Sequence, residues 1–296
     1  MKKRFGYCAL LGATNAGKST LLNTIASEKI AIVSRKVQTT RENIRGVRNL
    51  EEVQMAFVDT PGVFDAKSKF DRAMVSAAWS AMDGADAVVY IIDAAKGLTR
   101  TSEKIIGKLG SVGSPKCAAI NKIDAVKKPE LLELAQAAYS TGLFEEVFMI
   151  SAKKNDGVDD LIKWVASKMP EGEWRFDRPT DASAEFRMAE ITREKIYEYL
   201  HNELPYMIAV RTDEIARANV RQTIITSEKT HKAIIIGSRG EKLKTIGIKA
   251  RAEMEKLVGH KINLELEVEV DKDWKNNPEF YSRRRDSCCN AARIDI

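Results

Sequence analysis

The chain has 296 residues, a formal charge of +6 and four cysteines, a length that allows about two domains, each with its own core. None of Cys8, Cys117 and the adjacent Cys288–Cys289 is spaced as a zinc site or a disulfide framework, and no apolar run reaches membrane-spanning length; this excludes a disulfide scaffold and an integral membrane protein and points to a reducing cytoplasm. The start, Met1-Lys2-Lys3-Arg4 and then Phe5 to Ala13, superficially resembles a secretory signal, but its apolar stretch is short and no small-residue cleavage site follows.

Tyr7 to Leu11 reads as a buried parallel strand, followed by Gly12-Ala13-Thr14-Asn15-Ala16-Gly17-Lys18-Ser19 and a helix from Ser19 through Thr20 to Ile25. A G-x-x-x-x-G-K-[ST] loop turns main-chain N–H groups onto phosphates, brings the Lys18 ammonium to the β and γ oxygens, and offers the Ser19 hydroxyl to Mg²⁺. The stretch Gln38-Thr39-Thr40-Arg41 lies where a first switch belongs, with Thr40 preferred over Thr39 as a second Mg²⁺ ligand. After the strand Val53–Val58 comes Asp59-Thr60-Pro61-Gly62-Val63. Read alone this is an ordinary strand-to-turn sequence. Behind a phosphate loop it is a second switch, with Asp59 holding Mg²⁺ through water and Gly62 approaching the γ-phosphate.

Apolar strand runs at Ala87–Ile92, Cys117–Ile120 and Val147–Ile150 alternate with helical stretches near 72–82, 101–109, 130–139 and 158–168, the pattern of an α/β domain with a mainly parallel sheet. Asn121-Lys122-Ile123-Asp124 follows one strand. Asn121 suits guanine N7 and can brace the phosphate loop, Lys122 suits the base face, and Asp124 accepts from the guanine N1–H and exocyclic amine, donors that adenine lacks. Ser151-Ala152-Lys153 follows the next strand, and a backbone N–H there can meet guanine O6. Isolated, N-K-x-D reads as a charged helix cap and S-A-K as a helix entry. Val63 stands where a water-orienting glutamine often sits, so either hydrolysis is slow until a partner completes the site or another charge does that work; Lys18 and Asn15 are the candidate catalytic residues. Asn15 either helps hold K⁺ against the phosphates or only shapes the loop.

Pro170 to Thr180 reads as a linker, with Trp174 and Phe176 placed to pack between domains. The basic residues beyond it are clustered: between Lys229 and Lys261 nine Lys/Arg face three Glu, a local polyanion footprint. A helix at Ala184–Leu200 and strands at Ile208–Arg217 and Val220–Glu228 lead to Ile236-Gly237-Ser238-Arg239-Gly240-Glu241-Lys242-Leu243-Lys244. A G-x-x-G turn between helices lets a sugar-phosphate backbone approach the main chain; the alternative is a solvated α+β domain whose lysines contact nothing. The strand Asn263–Val270 alternates, with Glu265, Glu267 and Glu269 on one face, so RNA would use the helix side.

With these motifs, and with I-V-S-R-K-V-Q-T-T-R and D-W-K-N-N-P in order, the chain resembles the Era family of GTPases over nearly its whole length. Thr14 replaces the family's usual proline, and residues 281–296 form an atypical tail. The resemblance implies a P-loop NTPase domain at 1–170, a linker at 171–182 and a smaller α+β type II KH domain at 183–280. It further implies GTP hydrolysis with Mg²⁺, and binding of the small-subunit ribosomal RNA 3′ end through Ile236, Gly237, Ser238, Arg239, Gly240, Lys242 and Lys244. A monomeric cytoplasmic protein acting in rRNA processing and small-subunit assembly, with peripheral association at the inner membrane, is the expectation. GTP should favour the RNA-binding form, the switches at 38–41 and 59–64 shifting the second domain through the linker.

Overall fold

The computed structural model describes residues 2–33, 40, 43–63, 69–200 and 207–277; Gln38, Thr39, Arg41, Phe64 and the C-terminal tail lie outside the described residues. The first part runs β1 (Arg4–Gly12), α1 (Lys18–Ala26), β2 (Ile44–Leu50), β3 (Val53–Asp59), α2 (Lys69–Ser80), β4 (Ala87–Asp93), α3 (Arg100–Leu109), β5 (Lys116–Asn121), α4 (Lys128–Tyr139), β6 (Glu146–Ile150) and α5 (Val158–Lys168). Its six strands pair in the order β2-β3-β1-β4-β5-β6, all parallel except β2 against β3. Because successive strand residues point to opposite faces, Leu10, Phe57 and Val89 join Leu21, Leu161 and Val165 in one core layer. Leu11, Val88 and Tyr90 join Ile105, Leu109 and Leu131 in the other.

The strand β2 has no counterpart among the sequence expectations. Arg45 and Arg48 break its apolar run, as an edge strand permits when only one face is covered. Gly46 sits close against α1 there, where a Cβ would come within 2.8 Å of Leu22 Cδ1 and crowd that side chain.

Residues 170–182 pack on the first sheet, Trp174 and Phe176 included. Val47 N–H donates to Pro179 O at 2.7 Å, and the buried Gln54 side chain receives the Arg175 and Phe176 amides at 2.8 and 3.0 Å while donating to Phe176 O at 2.8 Å. Phe176 leans on Phe5, and the Trp174 indole donates to Glu52 O at 3.2 Å. A buried amide with its groups paired is worth keeping paired, so this stretch is a strap and not a free tether.

Beyond it come α6 (Ala184–Tyr199), β7 (Ile208–Ala216), β8 (Asn219–Thr226), α7 (Lys229–Ile236), α8 (Glu241–Val258) and β9 (Asn263–Val270). The sheet order is β7-β8-β9, with β7 antiparallel and β9 parallel to β8. Ile196, Ile224, Ile235, Ile246 and Val268 fill the space between helices and sheet, while Trp274 packs with Ala209 and Ile225 on the opposite face. The glutamates of β9 are exposed.

The two units meet just before the first switch. Asn23 on α1 accepts from the Ile30 and Ala31 amides, each at 2.9 Å, and so fixes the turn that carries Glu28 and Lys29. Arg187 of α6 reaches Glu28 at 2.5 Å. Lys29 pairs with Glu194 at 2.5 Å and with Glu253 of α8, and Glu253 also holds Lys195 at 2.6 Å.

Candidate functional site

Four nucleotide motifs begin where strands end, at the same end of the sheet: after Gly12 on β1, Asp59 on β3, Asn121 on β5 and Ile150 on β6. The phosphate loop follows β1, whose neighbours β3 and β4 come later in the chain, the switch point where such sheets bind ligands. Asn15 and Gly17 turn the loop with φ of 62° and 100°. Lys18 is buried and donates to Gly12 O at 3.0 Å and Ala13 O at 2.9 Å. Burial lowers its ammonium to about 8, Asp59 opposing the shift. Anionic phosphate oxygens are stronger partners than these carbonyls.

Asp59 is fully buried, and its Oδ2 accepts from Ser19 Oγ at 2.6 Å and Thr40 Oγ1 at 3.1 Å. The two hydroxyls lie 3.0 Å apart, so three oxygens from α1, the first switch and β3 converge. Asp59 Oδ1 has no hydrogen-bond partner among the described residues, and burial raises the carboxyl above its ordinary range. A buried carboxylate oxygen left unpaired costs several kcal/mol at the order-of-magnitude level; a hard cation held by oxygen ligands removes that cost, and the donor set fits Mg²⁺. No group of three or more His, Cys, Asp or Glu side chains that could hold a metal ion occurs among the described residues.

The segment after β3 lies against the phosphate loop. Thr60 donates to Leu10 O at 2.8 Å, and Val63 N–H to Gly12 O at 3.3 Å. A Cβ on Gly62 would sit 2.7 Å from Thr14 Cγ2 and 2.9 Å from Thr14 Cα. The side chain of Val63 packs on the second core layer; it is aliphatic and orients no water.

Asn121 ties three loops together. Its Nδ2 donates to Ala16 O at 2.9 Å, and its Oδ1 accepts from Lys122 N at 2.9 Å and Ala152 N at 3.0 Å. Asp124 Oδ1 accepts from Ser151 Oγ at 2.7 Å, which is the main reason its carboxyl lies below the usual range. Asp124 is exposed; only a base laid over it would remove its water. Ile123 begins the short turn that carries Asp124. Lys122 takes φ of 70° and points its ammonium at Asn15 O and at Asp93 Oδ2, each 2.7 Å away. Asp93 is absent from the sequence reading: an aspartate ending an apolar strand carries no local signal of a partner 29 residues on.

A second candidate site surrounds the G-x-x-G turn. Gly237 (φ 73°), Arg239 (φ 51°) and Gly240 (φ 80°) make it, and a Cβ on Gly237 would stand 2.7 Å from Lys242 Cβ. Beside it a groove of ≈ 370 Å³ is lined by Gly240, Leu243, Lys244, Gly247, Ile248, Arg251, Leu264 and Leu266. The basic rim is legible in the sequence; the apolar floor is missed. Leu243, Gly247 and Arg251 recur at four-residue spacing on one face of α8, the signal that could have found it. Arg239 and Lys242 belong to the turn and are not among the groove's lining residues.

Residues 7–122 match the family model described as 50S ribosome-binding GTPase, and residues 195–275 match the KH domain model. The chain is 46% identical over 285 residues to GTPase Era of Afipia carboxidovorans, covering 94% of this chain and 92% of that one. It is 39% identical over 300 residues to GTPase Era of Maricaulis maris, covering 94% and 96%. A crystal structure of Era in complex with MgGDPNP and nucleotides 1506–1542 of 16S ribosomal RNA superposes with TM-score 0.89 at 36% identity, covering 94% of this chain and 97% of that one. A single-substitution variant of Aquifex aeolicus Era bound to GDP.AlF4- gives 0.88 at 36% identity with the same coverage. A phosphate loop facing a guanine reader, joined to a KH unit, and relatives of this identity along 94% of its length together place this chain in the Era family of GTPases.

Proposed function

We propose that this GTPase binds the 3′ end of small-subunit ribosomal RNA when loaded with GTP, releases it on hydrolysis, and acts in rRNA processing and small-subunit assembly. Carrying the reading is the convergence of Ser19 and Thr40 on Asp59 in a chain that also presents a basic G-x-x-G groove. In this reading residues 1–170 bind nucleotide, 171–182 connect and 183–280 bind RNA.

Ser19, Thr40 and Asp59 would hold Mg²⁺, Asp59 through water, and bound Mg²⁺ neutralises charge on the β and γ oxygens. Lys18 binds the same oxygens, and the N–H groups of residues 12–20 orient them. Asn121 and Asp124 take the guanine edge, and a backbone N–H of Ser151-Ala152-Lys153 meets O6. Thr60, Pro61, Gly62 and Val63 close the γ-phosphate side. Since Val63 cannot orient water, Asn15 contributes by helping to hold K⁺. A K⁺-dependent site hydrolyses GTP at least about tenfold faster in K⁺ than in Na⁺; equal rates in the two salts reject that role.

Coupling runs where the units touch. The 170–182 strap is paired to the first sheet, whereas Glu28 and Lys29, on the segment between α1 and the first switch, contact α6 and α8. Linkage requires RNA to tighten GTP binding by the factor with which GTP tightens RNA binding.

Filter binding of RNA from the small-subunit 3′ end, with a GTP analogue, GDP or no nucleotide, tests the reading. Binding is expected to be tightest with the analogue, and Gly237→Asp to lose RNA affinity by about tenfold or more, through an acid set against phosphate and a side chain at positive φ, while GTP hydrolysis persists. Lys29→Ala should shrink the nucleotide-dependent difference. RNA bound equally in all three nucleotide states, or equally by Gly237→Asp, rejects it. No helix among the described residues is long and apolar enough to cross a membrane. Peripheral attachment and a monomeric state belong to the same proposal, checked by vesicle flotation and sedimentation.

A further inference from the structure

Asp93 ends β4 and lies beside Asn121 in the β4–β5 register. It is buried, and its two carboxylate oxygens have different duties: Oδ1 accepts the Ala95 N–H at 3.0 Å, and Oδ2 accepts the Lys122 ammonium at 2.7 Å. The same ammonium donates to Asn15 O at 2.7 Å, and Asn15 is the loop residue held at φ 62°. A continuous polar chain therefore runs from the end of β4, through the guanine-reading loop, to the bend of the phosphate loop.

A lysine stem has four rotatable bonds and loses rotamer freedom when it is fixed. Anchored at its tip by a buried carboxylate and a carbonyl, the Lys122 stem is ordered before any base arrives, and that ordering is not charged against binding. Methylenes lying along a purine face do not distinguish the substituents at its edge, which are Asp124's concern. We propose that Asp93 is a positioning residue for purine nucleotide binding, acting through Lys122 and independently of the base's edge groups; this rests on the reading of 121–124 as the guanine pocket.

Asp93 also shapes the turn after β4: its carbonyl accepts from the Lys96 and Gly97 amides at 3.0 and 2.9 Å. Asp93→Asn separates the two duties, since an amide oxygen still accepts from Ala95 while its NH₂ cannot accept from an ammonium. Asp93→Ser is a second variant that keeps a short acceptor for the turn.

Fluorescent-GDP titration with competition by GDP and inosine diphosphate tests the proposal in four proteins: wild type, Asp93→Asn, Lys122→Met and the double variant. Loss of a charge-assisted hydrogen bond predicts that Asp93→Asn weakens GDP by about tenfold. It weakens inosine diphosphate equally, leaves their ratio unchanged, and adds less than about twofold on the Lys122→Met background. An equal loss in both backgrounds assigns Asp93 to the turn alone and overturns the proposal, as does no loss in wild type or a changed ratio between the bases. Should Asp93→Asn fail to fold, Asp93→Ser carries the same comparison. Failure of wild type to bind GDP would instead remove the pocket assignment itself.

Discussion

Replacing Asp124 by asparagine should turn the pocket from guanine to xanthine nucleotides, with GDP affinity falling by about 10³–10⁴. Guanine presents two donors, N1–H and the exocyclic amine, to a carboxylate held by Ser151 at 2.7 Å. An asparagine accepts one and turns its NH₂ against the other. In xanthine a carbonyl replaces the exocyclic amine, so the pairing is restored. The hydrogen bond from Ser151 keeps the Asp124 carboxyl below its ordinary value. The charge that reads guanine is thus present above the usual carboxylate range and is lost only as pH falls below it. Selectivity in the wild type should therefore stay flat across the neutral range. Displacement of fluorescent GDP by GDP and xanthosine diphosphate measures both; a variant whose GDP affinity stays within about threefold of wild type rejects the role of Asp124.

Gly17→Ala should cost about 2–5 kcal/mol in nucleotide binding, combining the left-handed backbone penalty with overpacking. Gly17 has φ of 100°, and its Cβ would stand 2.2 Å from Asn121 Nδ2, the atom that donates to Ala16 O at 2.9 Å. One methyl group thus pushes the phosphate loop off the guanine loop. Calorimetric titration with GDP should show a loss of about thirtyfold or more. Gly107→Ala is the control: it sits within α3 with nothing within 4 Å of its Cβ. Helix propensity favours the alanine there by about 0.5–1 kcal/mol, with GDP affinity unchanged. Unchanged binding in Gly17→Ala would mean the two loops separate without cost.

The parallel strands and the phosphate and guanine loops are legible in the sequence because each is contiguous and follows an apolar run. Thr40, preferred over Thr39 in the sequence, donates to Asp59 Oδ2 at 3.1 Å. What stays hidden is contact between distant segments. The strand β2 escapes because Arg45 and Arg48 break its pattern on an edge where charge is tolerated. Asp93 escapes because its partner is set by strand register and not by spacing. Trp174 and Phe176 suggest an interdomain plug, yet Gln54, buried inside β3, draws their backbone onto the first sheet. The floor of the second groove combines α8 with β9, two elements whose adjacency no local window displays.

That same glutamine decides where the nucleotide-binding part can be cut out for study alone. A fragment ending at 170 would strip away the amides of Arg175 and Phe176, strand a buried carboxamide, and uncover the ring of Phe5. Ending instead just after Asp181, whose carboxylate reaches Arg45 at 2.8 Å, keeps that seam closed, and the longer fragment should be the one that purifies without aggregating.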